Sequence, residues 1–251
     1  MKKINIFSLL LILSLLLAAC GTSGGKEGDV VKVGVDTTYP PFEFEENGEQ
    51  KGIDIELIKA IAKDQGFKIE IEPMDFKGII PALQTGELDV AIAGMSITDE
   101  RKKVVDFSKP YFDAGLTLVV AKDNGTIQSP DDLKGKKIAV KKGTTGAKFA
   151  QDLAKENGAD VVQFNDSPSM FQEVSNGNAD VLIEDYPVVA YAIAQKDLGL
   201  KIVGDRLNGD QYGIAVQKGE NEELLKKINK GLAELKKNGE YDKIVNKYLG
   251  E

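Results

Sequence analysis

Leu83-Gln84-Thr85-Gly86-Glu87-Leu88-Asp89-Val90-Ala91-Ile92 and Val174-Ser175-Asn176-Gly177-Asn178-Ala179-Asp180-Val181-Leu182-Ile183 share one plan. Each is the end of a helix, a glycine suited to the left-handed turn that closes it, and a short β-branched strand. A second pair repeats the pattern: Val31 to Val35 followed by Asp36-Thr37-Thr38 lines up with Lys137 to Val140 followed by Lys141-Lys142-Gly143-Thr144-Thr145. Internal repetition of this kind implies two similar α/β lobes.

The same alternation of short strands and longer amphipathic segments runs from Val30 to the end. Helical spacing of Ile55, Leu57, Ile58, Ile61 and Ala62 predicts a helix over Asp54 to Lys63, stopped near Gly66. A strand over Lys68 to Glu72, a helix over Phe76 to Thr85, and strands over Val90 to Ala93 and Leu116 to Ala121 complete the first series. The second has a strand at Lys137 to Val140, a helix at Ala147 to Asn157, a strand at Val161-Val162, a helix at Ser169 to Ser175 and a strand at Val181 to Ile183. Helices over Glu220 to Asn238 and Glu240 to Leu249 close the chain. The fold class is therefore α/β, two-lobed.

In open α/β sheets ligands sit beyond the carboxyl ends of the strands. If the two lobes face each other, four loops line one cleft: Asp36 to Phe42, Ala93 to Arg101, Lys141 to Ala147, and Glu184 to Pro187. Their chemistry suits an amino-acid zwitterion. Arg101 offers a fork for a carboxylate, aided by backbone N–H groups of the Thr144-Thr145-Gly146 turn before a helix. Asp185 can take the ammonium, with Ser96 and the carbonyl of Gly94. Tyr39 and Phe76 can sandwich an aliphatic stem, whereas Phe42, following Pro40-Pro41, belongs to the core.

Composition removes other classes. The 251 residues contain no His and one Cys, so the commonest general base and the usual zinc ligands are missing. The run Gly143-Thr144-Thr145-Gly146 lacks the spacing and lysine of a phosphate-binding loop. No metal or cofactor is expected. With 32 basic and 40 acidic residues the net charge is −8, which disfavours nucleic acid as a partner.

The amino terminus carries Lys2-Lys3, an apolar run from Ile6 to Leu17, and Leu17-Ala18-Ala19-Cys20-Gly21. The run is shorter than the ~20 residues that span a bilayer, so residues 1–19 are expected to be a cleaved signal peptide. Leu-Ala-Ala-Cys resembles the lipobox of bacterial lipoproteins, which implies lipidation of Cys20 and anchoring to the outer face of the cell membrane. Residues 20–29, rich in Gly, Ser and charge, are then a flexible tether.

Asp36-Thr37-Thr38-Tyr39-Pro40-Pro41-Phe42-Glu43-Phe44, Gly52-Ile53-Asp54, the stretch from Met74 to Gln84, the stretch from Ala93 to Arg101, and Asp131-Asp132-Leu133-Lys134-Gly135-Lys136 together resemble the polar amino acid family of extracellular solute-binding proteins. The resemblance covers the chain from about Val30 onward. It implies a monomeric receptor with a periplasmic-binding-protein-like fold that closes on an amino acid and delivers it to the permease of an ABC importer. It implies lobe 1 from residues 30–111 and 212–251, lobe 2 from 112–211, and hinge crossings near Tyr111 to Gly115 and Asn208 to Tyr212. By the same resemblance Arg101, Ser96 and the Thr145 backbone clamp the α-carboxylate, Asp185 and Gly94 hold the ammonium, and Tyr39 and Phe76 flank the side chain, with Ala93 beside them.

At the far end of the side chain, Asp36 and Lys141 occupy equivalent places in the two lobes. One accepts and one donates, which suits a carboxamide and resembles the glutamine-binding branch. Lys141 would repel a guanidinium. Glu184, beside Asp185, is the departure: a second carboxylate there could welcome arginine or lysine, or could pair with Lys141. Glutamine leads, with cationic amino acids and glutamate as alternatives. A dehydratase on the same fold is the alternative from another class; without His its cleft lacks an obvious base.

Overall fold

The computed structural model describes residues 30–250. The expected signal peptide, Cys20 and the tether lie outside the described residues.

Two five-stranded mixed sheets form the lobes. The first has the order β5-β1-β6-β15-β7, with β1 (Val31–Val35), β5 (Ile69–Pro73), β6 (Val90–Ala91), β7 (Val105–Phe107) and β15 (Ala215–Gln217). The second has the order β11-β10-β12-β9-β13, with β9 (Leu116–Ala121), β10 (Lys137–Lys141), β11 (Asp160–Phe164), β12 (Val181–Asp185) and β13 (Leu200–Val203). In each, one strand, β1 or β10, pairs in parallel with both its neighbours. The strand that follows a crossing between the sheets, β9 or β15, runs antiparallel to its neighbours.

The repeat read from the sequence is the repeat of the structure. Val33 pairs with Val90 and Gly34 with Ala91 in one sheet; Ile138 pairs with Val181 and Ala139 with Leu182 in the other. The two aspartates of the echo make equivalent bonds, Asp89 accepting the backbone N–H of Lys32 at 2.8 Å and Asp180 that of Lys137 at 2.8 Å. Counting three residues on from Val33 and from Ile138 reaches Asp36 and Lys141, so the register puts both at the carboxyl end of the leading strand. Gly86 and Gly177 take φ values of 73° and 74°, the left-handed region where a Cβ is strained.

Helices cover both faces of the sheets. In the first lobe, α1 (Ile53–Gln65) packs with α6 (Glu222–Asn238) and α7 (Glu240–Leu249), while α2 (Phe76–Thr85) covers the other face. In the second, α3 (Thr145–Asn157) lies on one face and α4 (Ser167–Ser175) and α5 (Tyr186–Gln195) on the other. Helices α3 and α4 begin two residues earlier than the sequence predicts, because Thr144 and Asp166 cap them by accepting the N–H of Ala147 and of Ser169. The strand expected over Val90 to Ala93 stops at Ala91. Helix α5, the hairpin strands β2 (Thr38–Tyr39), β3 (Glu43–Glu46) and β4 (Glu49–Lys51), and the closing strands β7, β13 and β15 are additions to the sequence reading.

The chain leaves the first sheet after β7 and returns to it at β15. Between the lobes β8 (Phe112–Asp113) and β14 (Gln211–Tyr212) pair as a two-stranded ribbon, so both crossings run side by side. Phe42 is fully buried there, as expected, edge-on to Phe112 at 4.9 Å and to Tyr212 at 5.0 Å.

Candidate functional site

The lobes meet along the carboxyl ends of β1, β6, β10 and β12. Tyr39, Phe76, Ala93, Gly94, Ser96, Arg101, Lys141, Thr145 and Asp185 surround one small cavity of about 10 Å³, together with Thr144. Asp36 and Glu184, the other two residues expected at the site, are not in its wall.

Asp36 lies behind Lys141. The Lys141 ammonium is 2.7 Å from Asp36 Oδ2 and 3.4 Å from Thr38 Oγ1, and the two ionic residues keep only 1% and 3% of their exposure. Asp36 Oδ1 accepts from Thr38 N at 2.9 Å and from Thr38 Oγ1 at 2.6 Å. This corrects the reading of Asp36 and Lys141 as separate acceptor and donor for a ligand. They pair with each other across the lobes, and Lys141 alone presents to the cavity, its ammonium 4.7 Å from the Tyr39 ring centre and 5.9 Å from that of Phe76. The aromatic pair therefore flanks a lysine in this structure.

Glu184 is not in the cavity wall, and both its oxygens accept hydrogen bonds. Oε1 accepts from the N–H of Asp185 at 2.9 Å and Oε2 from Ser167 Oγ at 2.7 Å, while Oε1 also lies 2.9 Å from Tyr39 Oη, whose one proton it shares with Asp185 Oδ2. Burial raises its pKa, opposed by Lys141 and these donors. It makes no ion pair with Lys141, one of the options left open by the sequence.

Asp185 ends β12. Its Oδ2 accepts from Tyr39 Oη at 2.7 Å and from Tyr212 Oη at 2.6 Å, whereas Oδ1 is buried and receives no hydrogen bond. Burial, and then the neighbouring Glu184, push its carboxyl up to about 7. Tyr212 is a member of the site that the sequence did not single out; its position at the end of the expected hinge range was the available signal. Tyr39 and Tyr212, flanked by these acids in a dry setting, titrate well above the usual phenol range, so both remain donors.

Arg101 opens a short 3-10 turn (Arg101–Lys103) and is 9% exposed. Nη1 donates to the carbonyl of Ser96 at 2.8 Å and Nη2 to that of Gly143 in the other lobe at 3.0 Å. A guanidinium has five N–H donors, so these two bonds fix its plane and leave others for the cavity. Its carbon lies 5.3 Å from the Phe76 ring centre. Across from it, Thr144 accepts the Ala147 N–H and donates to the Lys141 carbonyl at 2.8 Å. The amides of Thr145 and Gly146 are left as the open donors of the first turn of α3. Gly146 is required by packing: a Cβ there would stand 2.9 Å from the Ile183 carbonyl oxygen.

No group of acids or Cys among the described residues has the arrangement of a metal site, and none of the described helices is long and apolar enough to cross a membrane.

The sequence pattern of the bacterial extracellular solute-binding proteins, family 3, matches residues 31–251. The chain belongs to that family. Two curated members of similar length are close to it. The arginine-binding extracellular protein ArtP of Bacillus subtilis (strain 168) is 36% identical over 253 residues, 99% of this chain and 98% of ArtP. The ABC transporter glutamine-binding protein GlnH of the same organism is 35% identical over 274 residues, 100% of this chain and 98% of GlnH. Among solved structures, an ancestral arginine-binding protein bound to arginine superimposes with a TM-score of 0.84 at 52% identity, covering 88% of this chain and 98% of that one. An ancestral arginine-binding protein bound to glutamine gives 0.82 at 52% identity, with the same coverage. The two-lobed α/β fold expected from the repeat, and the solute-binding fold implied by the family resemblance, are the fold of these relatives.

Proposed function

We propose that this protein is an extracytoplasmic receptor, acting as a monomer, that holds a polar L-amino acid between its lobes and delivers it to the permease of an ABC importer. A lipid on Cys20 would tether it to the outer face of the cell membrane. One observation carries the amino-acid reading: a single cavity is walled by a buried carboxylate oxygen without a donor, Asp185 Oδ1, and by a guanidinium with N–H groups to spare, Arg101. These are the complements of an ammonium and a carboxylate. An α-amino acid brings both on one carbon.

Glutamine is the ligand that the far wall favours. Lys141 stands where the side chain would end, its charge already balanced by Asp36 at 2.7 Å, and donates to a neutral acceptor such as a carboxamide oxygen. A guanidinium brought against it meets an ammonium in a dry site. The second reading is arginine. Three enclosed acids, Asp36, Glu184 and Asp185, face two enclosed bases, Arg101 and Lys141, so a cationic ligand would balance the cluster. Relatives named for arginine and for glutamine stand equally near.

Calorimetric titration of the purified protein with each of the twenty amino acids decides between them. Glutamine is expected to bind most tightly, with arginine weaker. Tighter arginine overturns the glutamine assignment and leaves the receptor; no binding by any amino acid overturns the receptor.

A further inference from the structure

Behind Gly94, on the side away from the cavity, two acids are buried together. Glu43 opens β3 and Asp54 is the second residue of α1, and both are 0% exposed. Asp54 Oδ2 accepts the Gly94 N–H at 2.8 Å and Tyr111 Oη at 2.9 Å. The two residues sit on adjoining backbone, where the Asp54 N–H donates to the Phe42 carbonyl at 2.8 Å, one residue before Glu43. Yet neither oxygen of Glu43, nor Oδ1 of Asp54, has a donor among the described residues. Two carboxylates in a dry site with nothing to donate between them cannot both be charged. A proton has to lie in the contact.

We propose that Glu43 and Asp54 share one proton, carried by Glu43 and donated to Asp54 Oδ1, and that this pair is a positioning unit for the ammonium end of the ligand cleft. The positioning half rests on the receptor reading above. Asp54 holds Gly94, whose φ is 51°, and the Tyr39 ring lies so close to Gly94 that a Cβ would stand 2.6 Å from Cε1. Tyr39 in turn donates to Asp185. The same Asp54 oxygen ties down Tyr111, where the chain begins to cross between lobes.

The surrounding charges agree with where the proton sits. Burial, then Asp54, with Asp36 adding and Lys141 opposing, push Glu43 well above the usual carboxylate range. Burial raises Asp54 only to about 6, because Glu43, then the Gly94 amide and the Tyr111 hydroxyl, hold its charge. Tyr111 itself is pushed upward and stays a donor. The folded protein thus keeps a proton on Glu43 at pH values where the unfolded chain has lost it. Stability from this group is full below the unfolded glutamate pKa and falls as pH rises toward the folded one.

E43Q replaces the acid by an amide that donates to Asp54 without needing a proton. Its thermal midpoint should therefore gain on wild type steadily from pH 5 to pH 8. The infrared C=O band of a protonated carboxylic acid should be present in wild type at pH 8 and lost in E43Q. With L-glutamine and L-arginine as probes, E43Q should bind within about threefold of wild type, while E43A and D54A lose about tenfold or more. The shared proton is overturned by a wild-type spectrum without that band, or by an E43Q midpoint offset that does not change with pH. The positioning role is overturned if D54A folds and binds within about threefold of wild type. Should wild type bind neither amino acid, the receptor reading fails, and the infrared and pH comparisons still decide the shared proton.

Discussion

Replacing Lys141 by Met keeps most of the stem and removes the ammonium from the junction of the lobes. Asp36, 3% exposed, then loses the cation at its Oδ2. Taking one partner from a buried ion pair costs ~3–5 kcal/mol. Asp36 keeps two hydrogen bonds from Thr38 at 2.9 and 2.6 Å, which places the cost at the low end. The cation–π contact with Tyr39 is smaller, at most ~2 kcal/mol even when desolvated. The ion pair therefore sets the magnitude. It joins the end of β1 to the end of β10, so it exists only when the lobes meet, and its loss falls on closure rather than on folding. Glutamine affinity should drop by about 3 kcal/mol, roughly a hundredfold, while the ligand-free melting midpoint moves little. Arginine behaves differently, because its guanidinium supplies the missing positive charge next to Asp36; its affinity should hold or improve. Competition calorimetry on K141M and wild type measures both. Glutamine binding within about threefold of wild type, or equal weakening of both ligands, would refute the account of the far wall.

The zwitterion clamp gives the next test: R101A and D185N should each weaken any amino-acid ligand by about a hundredfold or more, since a buried charge loses its partner, and equilibrium dialysis reads the loss. Binding should also depend on pH. An ammonium requires the Asp185 carboxylate, which without a ligand titrates near 7, so affinity should rise with pH and be about tenfold weaker at pH 6 than at pH 8; calorimetry in buffers of different ionisation enthalpy should show proton release on binding below pH 7, and a flat profile would contradict the role of Asp185. Small-angle scattering should show a smaller radius of gyration when glutamine is added, because only the shut form makes both sets of contacts. C20S should abolish membrane retention in detergent partitioning, and equal retention would reject the lipid anchor.

Much of the fold was legible because the repeat is written in residues with one local use each. A glycine after a helix, as at Gly86 and Gly177, marks the turn, and β-branched runs mark the strands that follow. What escaped depends on contacts distant in sequence. The run Tyr186–Gln195 has apolar residues on most of its circumference, so no polar face revealed it as a helix. The strands β7, β13 and β15 are short and gain their identity from partners elsewhere in the chain. In the site, the equivalence of Asp36 and Lys141 followed from alignment of the two leading strands, but their salt bridge required the placement of one lobe on the other. Glu184 is the clearest case. Its residue type suggested charge for a ligand, and only the Ser167 hydroxyl and the Asp185 amide show that both its oxygens already accept hydrogen bonds.

The placement of these charges links selectivity to closure. Asp36 to Lys141, Tyr39 to Asp185 and Arg101 to the Gly143 carbonyl all bridge the two lobes. Each lobe alone leaves its half of these contacts hydrated, so the desolvation of five ionisable side chains is incurred only when the lobes meet. Among these, Asp185 Oδ1 still lacks a donor with the lobes together. A ligand shifts such an equilibrium only by the difference between its affinities for the two forms. The molecule that supplies the missing donor, engages the spare N–H groups of Arg101 and adds no unbalanced charge at Lys141 gains most from the shut form. On the proposed reading, recognition is set at the junction of the lobes, and a substitution on either side of it, even one that touches no ligand atom, is expected to change which amino acid closes the cleft.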